Sequence, residues 1–189
     1  MNVQSQTAVA SGSQLVLRRA GAVVLGAALV AVAAQISIPL PGTPVPMTLQ
    51  PLAVLLVGGA LGPALGASSM ILYLALGAAG LPVFTPYGAP GLARLLGPTG
   101  GYLLAYPVAA FAVGKLAGDG RRLGALALAG FVGLVLVHLG GVAQLLILTG
   151  SASLALRVGT VPFVVGDLSK LAIAVLILKP IVSPLRARL

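Results

Sequence analysis

None of the 189 residues is cysteine, tryptophan or glutamate, and only two are acidic, Asp119 and Asp167. Without cysteine, neither a disulfide framework nor a thiolate metal site can form. Charged residues make up 7% of the chain, against about 25% in soluble domains. A water-soluble globule of this composition could not solvate its surface. Disorder is excluded by the opposite excess, since 59% of residues are hydrophobic. The single histidine, His138, has no Cys or Glu to complete a metal shell and reads as a packed neutral side chain. The Walker A phosphate-binding pattern does not occur, and no Ser/His/Asp constellation is supported. The chain is expected to hold no cofactor or metal and to catalyse nothing.

What remains is an integral membrane protein. A bilayer core needs about 20 apolar residues per helix. The runs are Leu15 to Ala34, Met47 to Leu61, Ala64 to Ala79, Gly101 to Leu116, Leu123 to Leu148, and Val161 to Leu178. Residues 1–14 are polar and expected to be disordered; 15–183 form one membrane domain. The second and third runs are short and joined by Gly62-Pro63, so they form either two tilted spans or one re-entrant hairpin. The first run resembles a signal peptide, but the rest of the chain is equally apolar and cleavage would release nothing soluble.

The net charge is +9, yet the basic residues sit at the ends of apolar runs without interleaved aromatics. That pattern fits topology better than nucleic-acid binding. With six spans, Arg18, Arg19, Lys115, Arg121, Arg122, Lys179, Arg186 and Arg188 fall on one side. Arg94 and Arg157 fall on the other. The positive-inside rule then places both termini in the cytoplasm. The outer connections, Gln35 to Pro46, Gly80 to Gly100 and Thr149 to Thr160, are long. The first two are rich in proline, and all three are expected to be stiff and non-helical. Loops of this kind suit a lid over an outward-facing pocket.

Few groups can do chemistry there. Asp167 and Lys170 lie i, i+3 on one face of the sixth run, roughly 9 and 13 Å below Val161. Ionisable residues inside a span are costly and usually functional. The alternative is a mutually neutralised lock. Arg94 could hold a carboxylate in its fork or snorkel to headgroups. Gln50 could read a polar ring or cap a helix end. Tyr73, Phe84 and Tyr102 are candidate walls for an apolar ligand. Ala22 and Gly26, then Ala27 and Ala31, have the small-xxx-small spacing that lets membrane helices approach closely, whether onto this chain or onto a partner.

Several stretches in order, VPMTLQPLAVLLVGGALGPALGA, YLALGAAGLPVF, LLGPTGGYLLAYPVAA and PFVVGDLSK, resemble the BioY family. This is the biotin-specific substrate-binding (S) component of energy-coupling-factor (ECF) transporters. The resemblance covers roughly Ile38 to Lys170. It implies an all-α bundle of six transmembrane helices with a pocket on the outer side, in the bacterial cytoplasmic membrane. It also implies biotin as substrate, with Lys170, Asp167, Arg94, Gln50, Tyr73, Phe84 and Tyr102 as substrate-binding residues. Two placements of the ligand fit. In one, Lys170 takes the carboxylate with help from Asp167. In the other, Arg94 takes it and Asp167 meets the ureido N–H groups. How Tyr87 aligns is left open, and it is not counted in the site. The implied partners are a transmembrane coupling subunit, contacted through Ala27 and Ala31, and two cytoplasmic ATPase subunits that use the ATP. The implied transport step is a toppling of the bundle that carries the pocket inward. The competing assignment is an autonomous proton-coupled carrier of a small organic anion, with Asp167 as proton carrier.

Overall fold

The computed structural model describes residues 3–189, with side chains from residue 12 onward. Residues 1 and 2 lie outside that range; over residues 3–14, expected to be disordered, the backbone is helical. The elements are α1 (Val3–Gln35), a small hairpin of β1 (Ser37–Ile38) and β2 (Met47–Thr48), α2 (Gln50–Leu61), α3 (Pro63–Ala78), α4 (Leu92–Leu96), α5 (Gly100–Leu116), α6 (Leu123–Thr149), α7 (Ala152–Gly159) and α8 (Val164–Arg186). The six apolar runs thus become α1, α2, α3, α5, α6 and α8. Gly12–Gln35, Leu123–Thr149 and Ala152–Arg186 are long and apolar enough to cross a membrane.

α2 has only 12 residues, about 18 Å of helix against a hydrocarbon core near 30 Å. It is tolerated because it is sheathed by protein, packing on α1, α3, α5, α6 and α8. Glycines bring its neighbours close. A Cβ on Gly58 would lie 2.5 Å from the Ala110 carbonyl oxygen of α5. Farther along, α5 and α6 meet backbone to backbone. A Cβ on Gly101 would lie 2.1 Å from the Gly140 carbonyl oxygen, and one on Gly140 2.5 Å from that of Gly101.

The loops differ from expectation in one respect. The third outer connection is not irregular. It folds as α7, started by Ser151, whose hydroxyl accepts from the Leu154 N–H. This stretch lacks proline, so nothing prevents the helix. The proline-rich first connection is irregular apart from its two-residue hairpin, and the second contains only the short α4.

The small-residue face of α1 also needs correcting. Ala27 is 3% exposed and belongs to the chain's own core, with Ala31 packed against the same cluster. Gly26 abuts Ser69 of α3 and Val57 of α2. This spacing serves internal packing, which leaves Ala27 no surface for another subunit.

At the end of the bundle opposite the long loops, Arg186 donates to the carbonyls of Gly59, Gly114 and Gly118. One guanidinium thereby ties the last turns of α2, α5 and α8, where orphan carbonyls favour a cation. Arg186→Met should therefore destabilise the bundle by about 2 kcal/mol, the scale of hydrogen bonds to a charged group. Arg186→Lys should recover only part, since an ammonium lacks the planar fork. Thermal unfolding of the three proteins in one detergent checks this; equal midpoints would remove the tie.

Candidate functional site

A cavity lies under the long loops, where β2, α2, α4, α5, α6 and α8 converge. Its floor is set by α8. The buried positions of that helix and the turn before it, Phe163, Asp167, Lys170, Ala174, Leu178 and Val182, form one stripe at three- and four-residue spacing. Asp167 and Lys170 occupy core positions in that stripe, each 6% exposed. Lys170 Nζ donates to Asp167 Oδ1 at 2.8 Å. The other oxygen, Oδ2, lies 2.7 Å from His138 Nε2 of α6. A carboxylate only accepts, so Nε2 carries the hydrogen in this contact.

His138 is the site residue that sequence reasoning passed over. It lines the cavity. Its Nδ1 lies 3.2 Å from the Gly159 carbonyl and 3.3 Å from the Thr160 hydroxyl. The only signal in the sequence was a lone titratable side chain in the middle of a long apolar run. Its partner lies 29 positions away, on another helix.

The second cation is Arg94 of α4, 6% exposed. Its Nε donates to the Ala89 carbonyl, and its terminal nitrogens to the Thr85 hydroxyl and carbonyl, all at 2.9 Å. Gly88, at φ +96°, carries the loop over the guanidinium; a Cβ there would lie 2.9 Å from a terminal nitrogen. Burial lowers the Arg94 pKa from its ordinary value, although a guanidinium keeps its proton regardless. Three of its five N–H groups are used, leaving one on each terminal nitrogen. Asp119 pairs with Arg121, and Asp167 with Lys170 and His138. Arg94 therefore has no carboxylate among the described residues, and both acids of the chain are described.

Gln50 opens α2 at the cavity wall. Its Oε1 accepts from the Thr48 hydroxyl at 3.2 Å, and its Nε2 donates to Tyr73 Oη at 2.7 Å. One amide N–H and one lone pair stay available. Tyr102 donates to the Gly159 carbonyl at 2.6 Å, and its ring covers Gly141, where a Cβ would lie 2.1 Å from the ring. Phe84 seats in the same way over Gly77. The loops above are tied together. Thr43 of the first connection donates to the Val158 carbonyl of α7, Gln35 to the Phe84 carbonyl, and Gln144 to the carbonyls of Leu95 and Gly97.

Of the seven residues expected to bind substrate, Lys170, Asp167, Arg94, Gln50, Phe84 and Tyr102 line this cavity. Tyr73 stands behind it, fully buried, holding Gln50 by hydrogen bond and Phe84 edge-on at 5.4 Å between ring centroids. Tyr87 is exposed and lines a neighbouring hollow under the first two loops that shares Pro46, Arg94 and Thr99 with the main cavity.

The family model described as BioY family matches residues 4–187. The chain is 43% identical over 155 residues to the probable biotin transporter BioY of Pyrococcus horikoshii, covering 82% of this chain and 90% of that one. It is 42% identical over 150 residues to the biotin transporter BioY of Thermotoga maritima, covering 79% and 87%. Its fold is similar to the crystal structure of the S-component for biotin from an ECF-type ABC transporter. There the TM-score is 0.78 at 28% identity, over 95% of this chain and 93% of the other.

The Gln50–Tyr73 bond generates a test of its own. Tyr73→Phe leaves a buried amide N–H without its acceptor and should cost about 1–3 kcal/mol. A lower unfolding midpoint in detergent is expected; no change would mean that the amide has another acceptor.

Proposed function

The chain belongs to the BioY family, and we propose that it captures biotin from outside as the substrate-binding subunit of an ATP-driven ECF importer. The observation that carries this reading is the buried pair of cations facing one cavity, of which only Lys170 has an acid partner. A ligand carboxylate completes the set at Arg94, gripped by the two remaining N–H groups of the fork. Lys170 is already neutralised by Asp167, so it is the weaker claimant for that charge. Asp167 retains lone pairs on both oxygens and faces the ureido N–H groups. The free donor and acceptor of Gln50 match the same polar edge. Phe84 and Tyr102 cover the apolar body.

In this reading α1, α2, α3, α5, α6 and α8 are six spans, in the bacterial cytoplasmic membrane. Arg19 donates to the Leu189 carbonyl, and Arg186 ties the ends of α2 and α5. Both contacts bring the Arg19 segment of α1, the end of α8 and the short connections after α2 and α5 to one end. The positive-inside rule makes that end cytoplasmic and the cavity end external. The chain carries no Walker A pattern, so ATP turnover belongs to partner ATPase subunits, acting through a transmembrane coupling subunit. With Ala27 internal, the coupling face of α1 moves to its exposed side, which includes Gly21, Leu25, Ala28 and Val32. The subunit binds and carries its substrate and catalyses nothing.

Calorimetry with biotin and with its neutral carboxamide tests the assignment. Wild-type protein, purified alone and stripped of ligand, should bind biotin tightly and the amide more weakly. Arg94→Gln should lose about 2–5 kcal/mol of biotin affinity, as expected when a buried charge pair is broken, and should no longer distinguish acid from amide. Lys170→Ala should weaken both ligands while keeping the distinction. If Lys170→Ala alone erases the distinction, the carboxylate sits at Lys170. No binding by folded wild-type protein would end the biotin reading.

A further inference from the structure

Asp167 is held from two sides, by Lys170 on its own helix and by His138 on α6, at 2.8 and 2.7 Å to different oxygens. Two donors on two oxygens fix both the rotamer and the plane of a carboxylate. Without His138, the carboxylate is free to turn both oxygens toward the ammonium three residues away. With its hydrogen on Nε2, the imidazole accepts at Nδ1 from the Thr160 hydroxyl just past the end of α7, at 3.3 Å. Tyr102 donates to the Gly159 carbonyl. The ring also forms a wall. His138 and Asp167 line the main cavity and, on their other side, an apolar cleft between α6, α7 and α8. The rim of that cleft, with Phe131, Leu139 and Leu168, is exposed.

We infer that His138 is a positioning residue of the binding site, acting through Asp167: its Nε2–H holds the carboxylate so that the remaining lone pairs face the cavity. A bland alternative exists, in which the ring is only filler between Tyr102 and Phe163, whose centroids lie 6.0 and 6.3 Å away. The two differ in what can replace it. A filler is replaced by an apolar side chain of similar bulk. A donor aimed at Asp167 is replaced by glutamine, whose amide nitrogen reaches the place of Nε2. Asparagine reaches only the place of Nδ1.

The inference rests on the biotin reading, and biotin is the probe. The full chain is purified alone in detergent, stripped of ligand and titrated by calorimetry as wild type, His138→Gln, His138→Leu and His138→Asn. His138→Leu and His138→Asn should weaken binding roughly ten- to a hundredfold, the range for one hydrogen bond to a charged group. His138→Gln should stay within about threefold of wild type. Wild-type affinity in His138→Leu, or a loss in His138→Gln equal to that in His138→Asn, would overturn the role. The Gln and Asn proteins decide the matter alone if the Leu protein does not fold. Absence of biotin binding by the wild type would overturn the biotin reading and this inference with it; a binding wild type with indifferent variants overturns the inference only.

Discussion

A carboxylate buried in an apolar bundle has to be compensated, and much of this site's arrangement answers that requirement. An unpaired Asp at the centre of a span costs roughly 2.5–3.5 kcal/mol on insertion scales, and Asp167, although in the first turn of α8, is buried in the same way. Lys170 on the same face supplies charge, and His138 supplies a second donor from another helix. Buried ion pairs of this kind add little net stability, because desolvation offsets their attraction. Their value is geometric: once paired from α6 and from α8, the carboxylate has a fixed address at the cavity floor. The same contacts draw α6 and α8 together beside the end of α7, which positions the Gly159 carbonyl for Tyr102.

Above that floor the construction depends on absent side chains. Phe84 and Tyr102 reach the cavity because Gly77 and Gly141 leave room under their rings. α5 and α6 approach closely because Gly101 faces Gly140. Close backbone approach is how helices gain contact in a solvent as apolar as their own side chains. In such a chain, small-residue spacing marks any tight contact, internal or external. That is why Ala27 and Ala31 read as a partner face in the sequence and turn out to pack inward. Nothing local in the pattern distinguishes the two uses.

What was legible follows the same division. Each of the six apolar runs coincides with a helix because run length and hydropathy are local properties. Asp167 and Lys170 stood out because charge inside a span is rare and their spacing is local. Gln50, Phe84, Tyr102 and Arg94 were reachable from residue type and their place in or beside the outer loops, and the fold brings them to one cavity. Tyr73 stands behind the cavity wall, since only packing decides whether a buried tyrosine reaches a cavity or supports a residue that does. His138 and Arg186 were missed for one reason. Their partners are distant in sequence, at Asp167 for the first and at Gly59, Gly114 and Gly118 for the second, and no spacing encodes a contact between helices. The expectation of non-helical outer loops fails at α7 because that stretch, unlike the first two loops, contains no proline.

The charge pattern of the cavity bears on transport as well as on capture. Its permanent charges are two cations, Arg94 and Lys170, against the single acid Asp167. One positive charge is left over in a buried position. In the proposed reading, the carboxylate of bound biotin cancels it. The loaded cavity is then electrically matched, whereas the empty cavity carries an uncompensated guanidinium under the long loops. Moving an unpaired charge into hydrocarbon is penalised, and moving a hydrogen-bonded pair is penalised less. If the site crosses the bilayer by reorienting the whole bundle, ligand therefore lowers the cost of that motion, while the neutral amide does not. In that reading, the unpaired Arg94 that selects an anion also biases reorientation toward the occupied state.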